Sequence, residues 1–343
     1  MSIKFRYAGI CLFWFTCVVF ADKPQFQFSL QSWASFTTYE TPGDSINPAA
    51  TSAQTGFGIR RARLRGKAVS GDAAAFIQYE AVSSAMLDVR LDYQLSPGLT
   101  LRMGRFIGPG SQAGGRTGHT SIDFIERSIV GRNWGAAVAR SDYHTYGLSL
   151  IEKSGRFSYE IMASNGAGDV NLKPYNSKSG GSTTATGYLP QLDFMASMAV
   201  GDAIAVGAHY GLANPDRVDK SSATGFVYFR PADYGTGAVR SKLDWAYIGD
   251  NSIKTDLAGV SLLGAYRLTD NLEMGGRVAY WDPNLDGVDD ALTNYTIGIN
   301  FSPDPDHWMD TLFKFDLTVK TTTDPAGIPD PLVAHILWQM YLH

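Results

Sequence analysis

The feature that most constrains this chain is one stretch near its start, Gly58 to Val69, reading GIRRARLRGKAV. Its residues alternate in type, and side chains on a β-strand alternate between two faces. One phase holds Ile59, Arg61, Arg63, Arg65 and Lys67; the other holds Ala62, Leu64, Gly66 and Ala68. A row of cations therefore backs onto a small, apolar face. In a soluble sandwich the apolar face meets a core and the cations meet bulk water. In an outer-membrane barrel the apolar face meets lipid and the cations line an aqueous lumen.

Similar alternation recurs along the chain. Leu87, Val89, Leu91 and Tyr93 interleave with Asp88, Arg90 and Asp92. Leu99, Leu101 and Met103 interleave with Thr100 and Arg102. Tyr295, Ile297, Ile299 and Phe301 interleave with Asn294, Thr296 and Asn300, and Phe313, Phe315, Leu317 and Val319 with Lys314, Asp316, Thr318 and Lys320. Helical periodicity is scarcely visible. Short turns rich in Gly, Asn, Asp, Ser and Pro, at Ser70–Asp72, Ser96–Gly98, Lys153–Gly155, Gly201–Asp202 and Thr269–Asn271, alternate with mostly longer stretches. The longer ones are Glu40–Thr55, Ile107–Asp142, Asn165–Leu189, Ala213–Thr224, Asp282–Asp290 and Thr321–Pro331. Short turns at one end and long loops at the other are the outer-membrane arrangement, and no comparable reason exists in a soluble β-protein. The spacing predicts an all-β, transmembrane antiparallel barrel of about 16 strands, within a range of roughly 14 to 18. The strands near Gly225–Arg230 and Asp142–Lys153 carry the weakest pattern, and Trp134–Arg140 could be a strand itself. Tyr93, Trp245, Tyr266, Tyr280, Tyr295, Phe301 and Trp338 fall in lipid-facing phases, as interfacial girdles require.

Met1–Ala21 has a basic start at Lys4 and Arg6, an apolar run from Tyr7 to Phe20 and a small residue at Ala21, the pattern of a secretory leader. A first transmembrane helix is the alternative, but the run is short and the chain turns polar at once. The expected division is a leader, Met1–Ala21, and one barrel, Asp22–His343, in the cell outer membrane after cleavage. Both cysteines, Cys11 and Cys17, lie in the leader, so disulfides, thiolate metal sites and a cysteine nucleophile are excluded from the remainder. The leader also takes two of the 29 basic side chains, leaving 33 acidic ones in excess and arguing against a nucleic-acid partner.

Four short runs, in order and at matching intervals, carry a resemblance to the phosphate-selective porin O and P family. They are Arg60-Arg61-Ala62; MGRF, Met103 to Phe106, opening the third loop; FIERS, Phe124 to Ser128, within it; and YTIGINFSPD, Tyr295 to Asp304. The resemblance implies a 16-stranded homotrimer whose third loop folds into the lumen, with an arginine ladder guiding anions. By position Arg60 and Arg61 belong to that ladder; strand alternation turns only Arg61 squarely inward and leaves Arg60 for the rim. The resemblance also implies a third-loop lysine and an arginine-rich middle loop. Ile107–Arg132 has no lysine, only Arg116, Arg127 and Arg132, and Asn165–Leu189 has only Lys173 and Lys178.

A guanidinium-lined pore favours anions by charge and by forked hydrogen bonds. The lumen phase is nonetheless mixed. Arg61, Arg63, Arg65, Lys67, Arg90, Arg102, Arg240, Lys242, Arg277, Lys314 and Lys320 oppose Glu80, Asp88, Asp92, Glu160, Asp193, Asp244, Glu273 and Asp316. The pore-lining and anion-binding candidates are Arg60, Arg61, Arg63, Arg65, Lys67, Arg102, Arg116, Arg127 and Arg132. The expected function is passive diffusion of small hydrophilic solutes with a modest anion preference that includes phosphate. The partners are outer-membrane lipid and small anionic solutes, and no cofactor is expected. A non-conducting barrel serving as anchor or receptor is the second reading, since long loops suit it.

An enzyme is not expected. His119, His144, His209, His307, His335 and His343 sit in no hydrolase motif or metal-ligand spacing, and Gly43-Asp44-Ser45 lies in a Pro/Gly loop without supporting elements. Asp282, Asn284 and Asp286 match the first half of a calcium-loop spacing, but Thr293 stands where a bidentate Glu is needed.

Overall fold

The computed structural model describes residues 24–37, 54–139, 142–166, 191–213, 220–251, 254–287, 290–322 and 332–342. The leader, Gly43–Ser45, Lys173 and Lys178 lie outside them.

The described residues form one closed barrel of 16 antiparallel strands, each bonded to its sequence neighbour. The first half comprises β1 (Gln25–Thr37), β2 (Gln54–Ser70), β3 (Ala73–Glu80), β4 (Ala85–Ser96), β5 (Leu99–Ile107), β6 (His144–Ser154), β7 (Phe157–Ser164) and β8 (Gln191–Val200). The second comprises β9 (Ile204–Ala213), β10 (Lys220–Phe229), β11 (Val239–Asp250), β12 (Thr255–Thr269), β13 (Leu272–Asp282), β14 (Leu292–Phe301), β15 (Thr311–Thr322) and β16 (Leu332–Leu342). Closure is made by β1 on β16, Phe28 opposite Leu342 through Thr37 opposite Val333. A closed sheet has no edge, so every strand N–H and C=O can find a partner without water.

The alternation read from the sequence sorts the side chains. On β14, Tyr295, Ile297 and Ile299 point outward and exposed while Asn294, Thr296 and Asn300 are buried inside. All seven aromatics assigned to the outer face are exposed there. At the turn end Phe301, Phe313 and Trp338 are contiguous, with ring centroids 6.3 Å and 5.9 Å apart.

The turn end is tight. Gly98, between β4 and β5, has φ +88°, and a Cβ there would meet Lys153 O at 2.4 Å. Two connections on that end are long, 230–238 and 302–310. On the opposite end two are short, 81–84 and 251–254. Loop length is thus segregated less cleanly than expected, because alternation marks strands but does not fix what joins them. MGRF lies within β5 rather than opening the loop, and Lys220–Thr224 belongs to β10 rather than to a loop.

The connection from β5 to β6, residues 108–143, folds into the barrel. Ser128 caps a short helix, α1 (Ile129–Trp134), accepting from Gly131 N at 3.4 Å. A wide helical turn, Gly135–Ala139, follows, so Trp134–Ala139 is helical and not a strand, while Arg140 lies outside the described residues. Its apolar face, Ile129, Val130, Trp134 and Val138, packs on Ala246, Ile248, Ala279 and Trp281 of β11 and β13, a dry patch inside the barrel.

Candidate functional site: an arginine wall facing the inserted loop

Strand β2 holds a β-bulge at its two adjacent arginines. Gln31 of β1 pairs with Arg61, but the next residue, Ser32, pairs with Ile59, so Arg60 has no opposite number. An extra residue shifts the phase of everything beyond it. Ile59, expected inward, points out and is 55% exposed. Arg60, expected at the rim, turns inward beside Arg61. Arg60 Nη1 donates to Glu126 Oε1 at 2.6 Å and its guanidinium lies 4.7 Å over the Trp33 ring. Arg61 Nη1 donates to Gln31 Oε1 at 3.2 Å.

Further along, Arg63 Nε donates to Glu80 Oε2 at 2.7 Å and Arg65 Nε to Gln78 Oε1 at 2.5 Å. The loop contributes His119 between them. Its Nδ1 lies 3.1 Å from Arg63 Nη1 and 3.2 Å from Arg65 Nη2, and its Nε2 lies 2.9 Å from Ser29 Oγ. Arginine only donates, so Nδ1 accepts from both, and the proton sits on Nε2, which donates to Ser29. Burial, then the charges of Arg63, Arg65 and Arg61, push the His119 pKa far below the usual imidazole range. His119 is therefore a neutral spacer. Lys67 is exposed beyond this cluster, opposite Gln25 near the turn end.

These arginines, with Arg127 of the loop, line a cavity of about 410 Å³ between β2–β4 and the loop; Glu80, Asp88 and Asp142 also border it. Arg127 donates to Thr117 O at 2.7 Å and to Gly114 O, and lies 5.4 Å over Tyr143. Arg61, Arg65 and Arg127 have no carboxylate within salt-bridge distance among the described residues. A second cavity, about 710 Å³, lies toward the turn end. Thr117 and Gly118 border both, so this short piece of loop separates them.

The loop is fixed to the opposite wall as well. Asp123 accepts from Lys242 at 2.8 Å and from Arg240. Burial opposes its ionisation, but Lys242 and Arg240 outweigh burial and hold the carboxyl well below the usual carboxylate range. Asn300 donates to Asp123 O at 3.0 Å, Ile125 N to Asp316 Oδ2 at 2.7 Å and Arg277 to Glu126 O at 2.9 Å. Phe124 packs on Leu263 and Ala265.

The remaining candidates are neutralised or peripheral. Arg102 forks onto Asp92 at 2.7 and 3.0 Å. Arg116 reaches Glu160 Oε2 at 2.8 Å, and Arg132, half exposed, lies 4.0 Å from Glu126. In the acidic loop Asp282 Oδ1 accepts from Asn284 N and Asn284 Oδ1 from Asp286 N, at 3.0 and 3.3 Å, so these oxygens close local turns. Among the described residues no group of three or more His, Cys, Asp or Glu gathers in a metal-binding arrangement. Sequence reasoning missed His119, Asp123 and the role of Glu126. The FIERS run pointed at Glu126, but nothing local marks the other two.

No family model matches the chain, and neither does any curated protein. Solved structures do match. The anion-selective porin of Comamonas acidovorans is similar at 12% identity and a TM-score of 0.65, over 93% of this chain and 99% of that one. The fold is that of an outer-membrane porin. The outer membrane channel DcaP of Acinetobacter baumannii is similar at 13% identity and TM-score 0.61, over 93% of this chain and 97% of that one. A trimer form of OmpT, an outer membrane protein of Vibrio cholerae, gives 11% and 0.58, over 93% and 100%. Identity this low carries the fold alone.

Proposed function

We propose that this chain, freed of its leader, is an outer-membrane porin giving passive diffusion of small hydrophilic solutes, with a modest preference for anions that extends to phosphate. It needs no cofactor, performs no chemistry, works in contact with membrane lipid and assembles as a homotrimer. The observation that carries the reading is the 410 Å³ cavity in which Arg61, Arg65 and Arg127 have no carboxylate within salt-bridge distance among the described residues. Fixed charge acts over about 8 Å at physiological salt, so cations against a narrow loop matter more than those in a wide vestibule. The preference is modest because Arg60, Arg63, Arg90 and Arg102 are already paired with Glu126, Glu80, Asp88 and Asp92. The porin relatives support the channel, and the anion-selective porin of Comamonas acidovorans and the trimer form of OmpT agree with the anion preference and the assembly.

Many anchors between the loop and the wall favour a second reading, a barrel closed to solutes. Proteoliposome swelling separates the two. A porin swells in a neutral pentose at rates proportional to protein added; a closed barrel does not swell above protein-free vesicles. In a planar bilayer, added phosphate lowers the chloride current if phosphate shares the arginine wall, and leaves it unchanged if it does not.

A further inference from the structure

The turn end of the barrel, its periplasmic mouth if the porin reading holds, carries a second basic cluster of different character. Its two long connections, 230–238 and 302–310, both bring an aromatic residue to the 710 Å³ cavity, Tyr234 from one and Trp308 from the other. Arg267 of β12 lies between them, its guanidinium 3.7 Å over the Trp308 ring and 5.7 Å from that of Tyr234. Arg230 lies 5.1 Å from Tyr234 on the same cavity. The Tyr234 hydroxyl donates to Glu273 Oε2 at 2.5 Å, which fixes the ring. Burial and that bond push its pKa up to about 12, so it stays neutral.

Charge and hydrogen bonding at Arg267 are incompletely used. It is 6% exposed; it donates to the backbone oxygen of Asp270, while its Nε–H has no partner. Neither Arg267 nor Arg230 has a carboxylate within salt-bridge distance among the described residues. A guanidinium stacked on a ring keeps its N–H edge available, directed parallel to the ring and beside it. A ligand that matches has a carboxylate for that edge and a flat π-face for the rings beside it. Chloride and phosphate lack the face, and neutral solutes lack the charge.

We propose that Arg230, Arg267, Tyr234 and Trp308 form a binding station for planar aromatic carboxylates at the turn-end mouth. It rests on the porin reading and adds a solute class to it. A solute leaving the arginine wall past Thr117–Gly118 enters the cavity that holds this station.

The test is chloride current through the wild-type porin in a planar bilayer, with benzoate or cyclohexanecarboxylate added to one side at a time. The two acids share charge and size but only one is flat. The station predicts that benzoate blocks from the turn-end side at roughly five-fold lower concentration than cyclohexanecarboxylate, the worth of one aromatic stack. Trp308→Leu abolishes that advantage, and Arg230→Gln raises the blocking concentration of both acids; should Trp308→Leu fail to fold, the exposed Arg230→Gln decides. Equal block by the two acids in the wild type, or block by both acids undiminished in Arg230→Gln, overturns the station while the porin reading stands. A wild type that conducts no chloride overturns both.

Discussion

Glu126 of the inserted loop accepts from Arg60 of β2 at 2.6 Å, so the loop neutralises one member of the arginine wall it faces. Arg60 is inward only because of the bulge, and Glu126 is held in place through its backbone oxygen by Arg277. Glu126→Gln leaves Arg60 uncompensated and removes the carboxylate 4.0 Å from Arg132. The anion-to-cation permeability ratio then rises, by roughly two-fold for one added lumen charge. Zero-current potentials in a potassium chloride gradient read the change; an unaltered or lower ratio means that Arg60 lies off the conducting path.

On the porin reading, stability rests on the outer face. Ile297, in the middle of β14, is 62% exposed to the exterior. Ile297→Arg costs roughly 2–4 kcal/mol of folding stability in a bilayer if that face meets acyl chains near the midplane. Denaturant titration in lipid vesicles measures it. A cost near zero would mean that this face is wet.

The neutral state of His119 has a pH signature. Its pKa in the folded protein is pushed below the ordinary 6.5, so protonation favours the state in which the loop is released. The stability it contributes is full above about pH 6.5 and declines as the pH falls below that value. His119→Gln should flatten the dependence of thermal unfolding on pH between about 6.5 and 4.5, above the range where ordinary carboxylates titrate. A variant with the wild-type slope in that window would assign it to another group.

Within the loop, α1 crosses the preceding turn at Gly131. A Cβ there would meet the Ala113 carbonyl carbon at 2.5 Å, and backbone cannot yield as a flexible side chain can. Gly131→Ala should cost roughly 1–3 kcal/mol of local stability, the usual range for overpacking. The loop is then cut by protease faster while the barrel keeps its heat-resistant gel migration; unchanged cleavage would show that the crossing tolerates a methyl group.

How much of this was legible in sequence differs by level. The barrel was, because Tyr295, Ile297 and Ile299 against Asn294, Thr296 and Asn300 is a period-two pattern that lipid and water sort without help from the rest of the chain. The bulge was not: Arg60 and Arg61 look like any adjacent pair, and only pairing with Gln31 and Ser32 reveals the extra residue. The neutralisation of Arg102 by Asp92 also needed the register, which sets the two directly opposite on β5 and β4. The anchors of the loop were least legible, since His119 and Asp123 meet Arg63 and Lys242 across long sequence separations and no periodicity links them. Tyr234 and Trp308 were hidden for the same reason, on turns whose inward fold no local pattern announces.

On the porin reading, Arg61, Arg65 and Arg127, the guanidinium groups with no carboxylate within salt-bridge distance among the described residues, set the selectivity of the lumen. The most direct test is the zero-current potential of reconstituted protein in a potassium chloride gradient, wild type beside Arg61→Gln/Arg65→Gln. The wild type should be chloride-selective and the double variant shifted toward, or past, equal permeability. A wild type that prefers potassium, or a double variant with an unchanged potential, would contradict it.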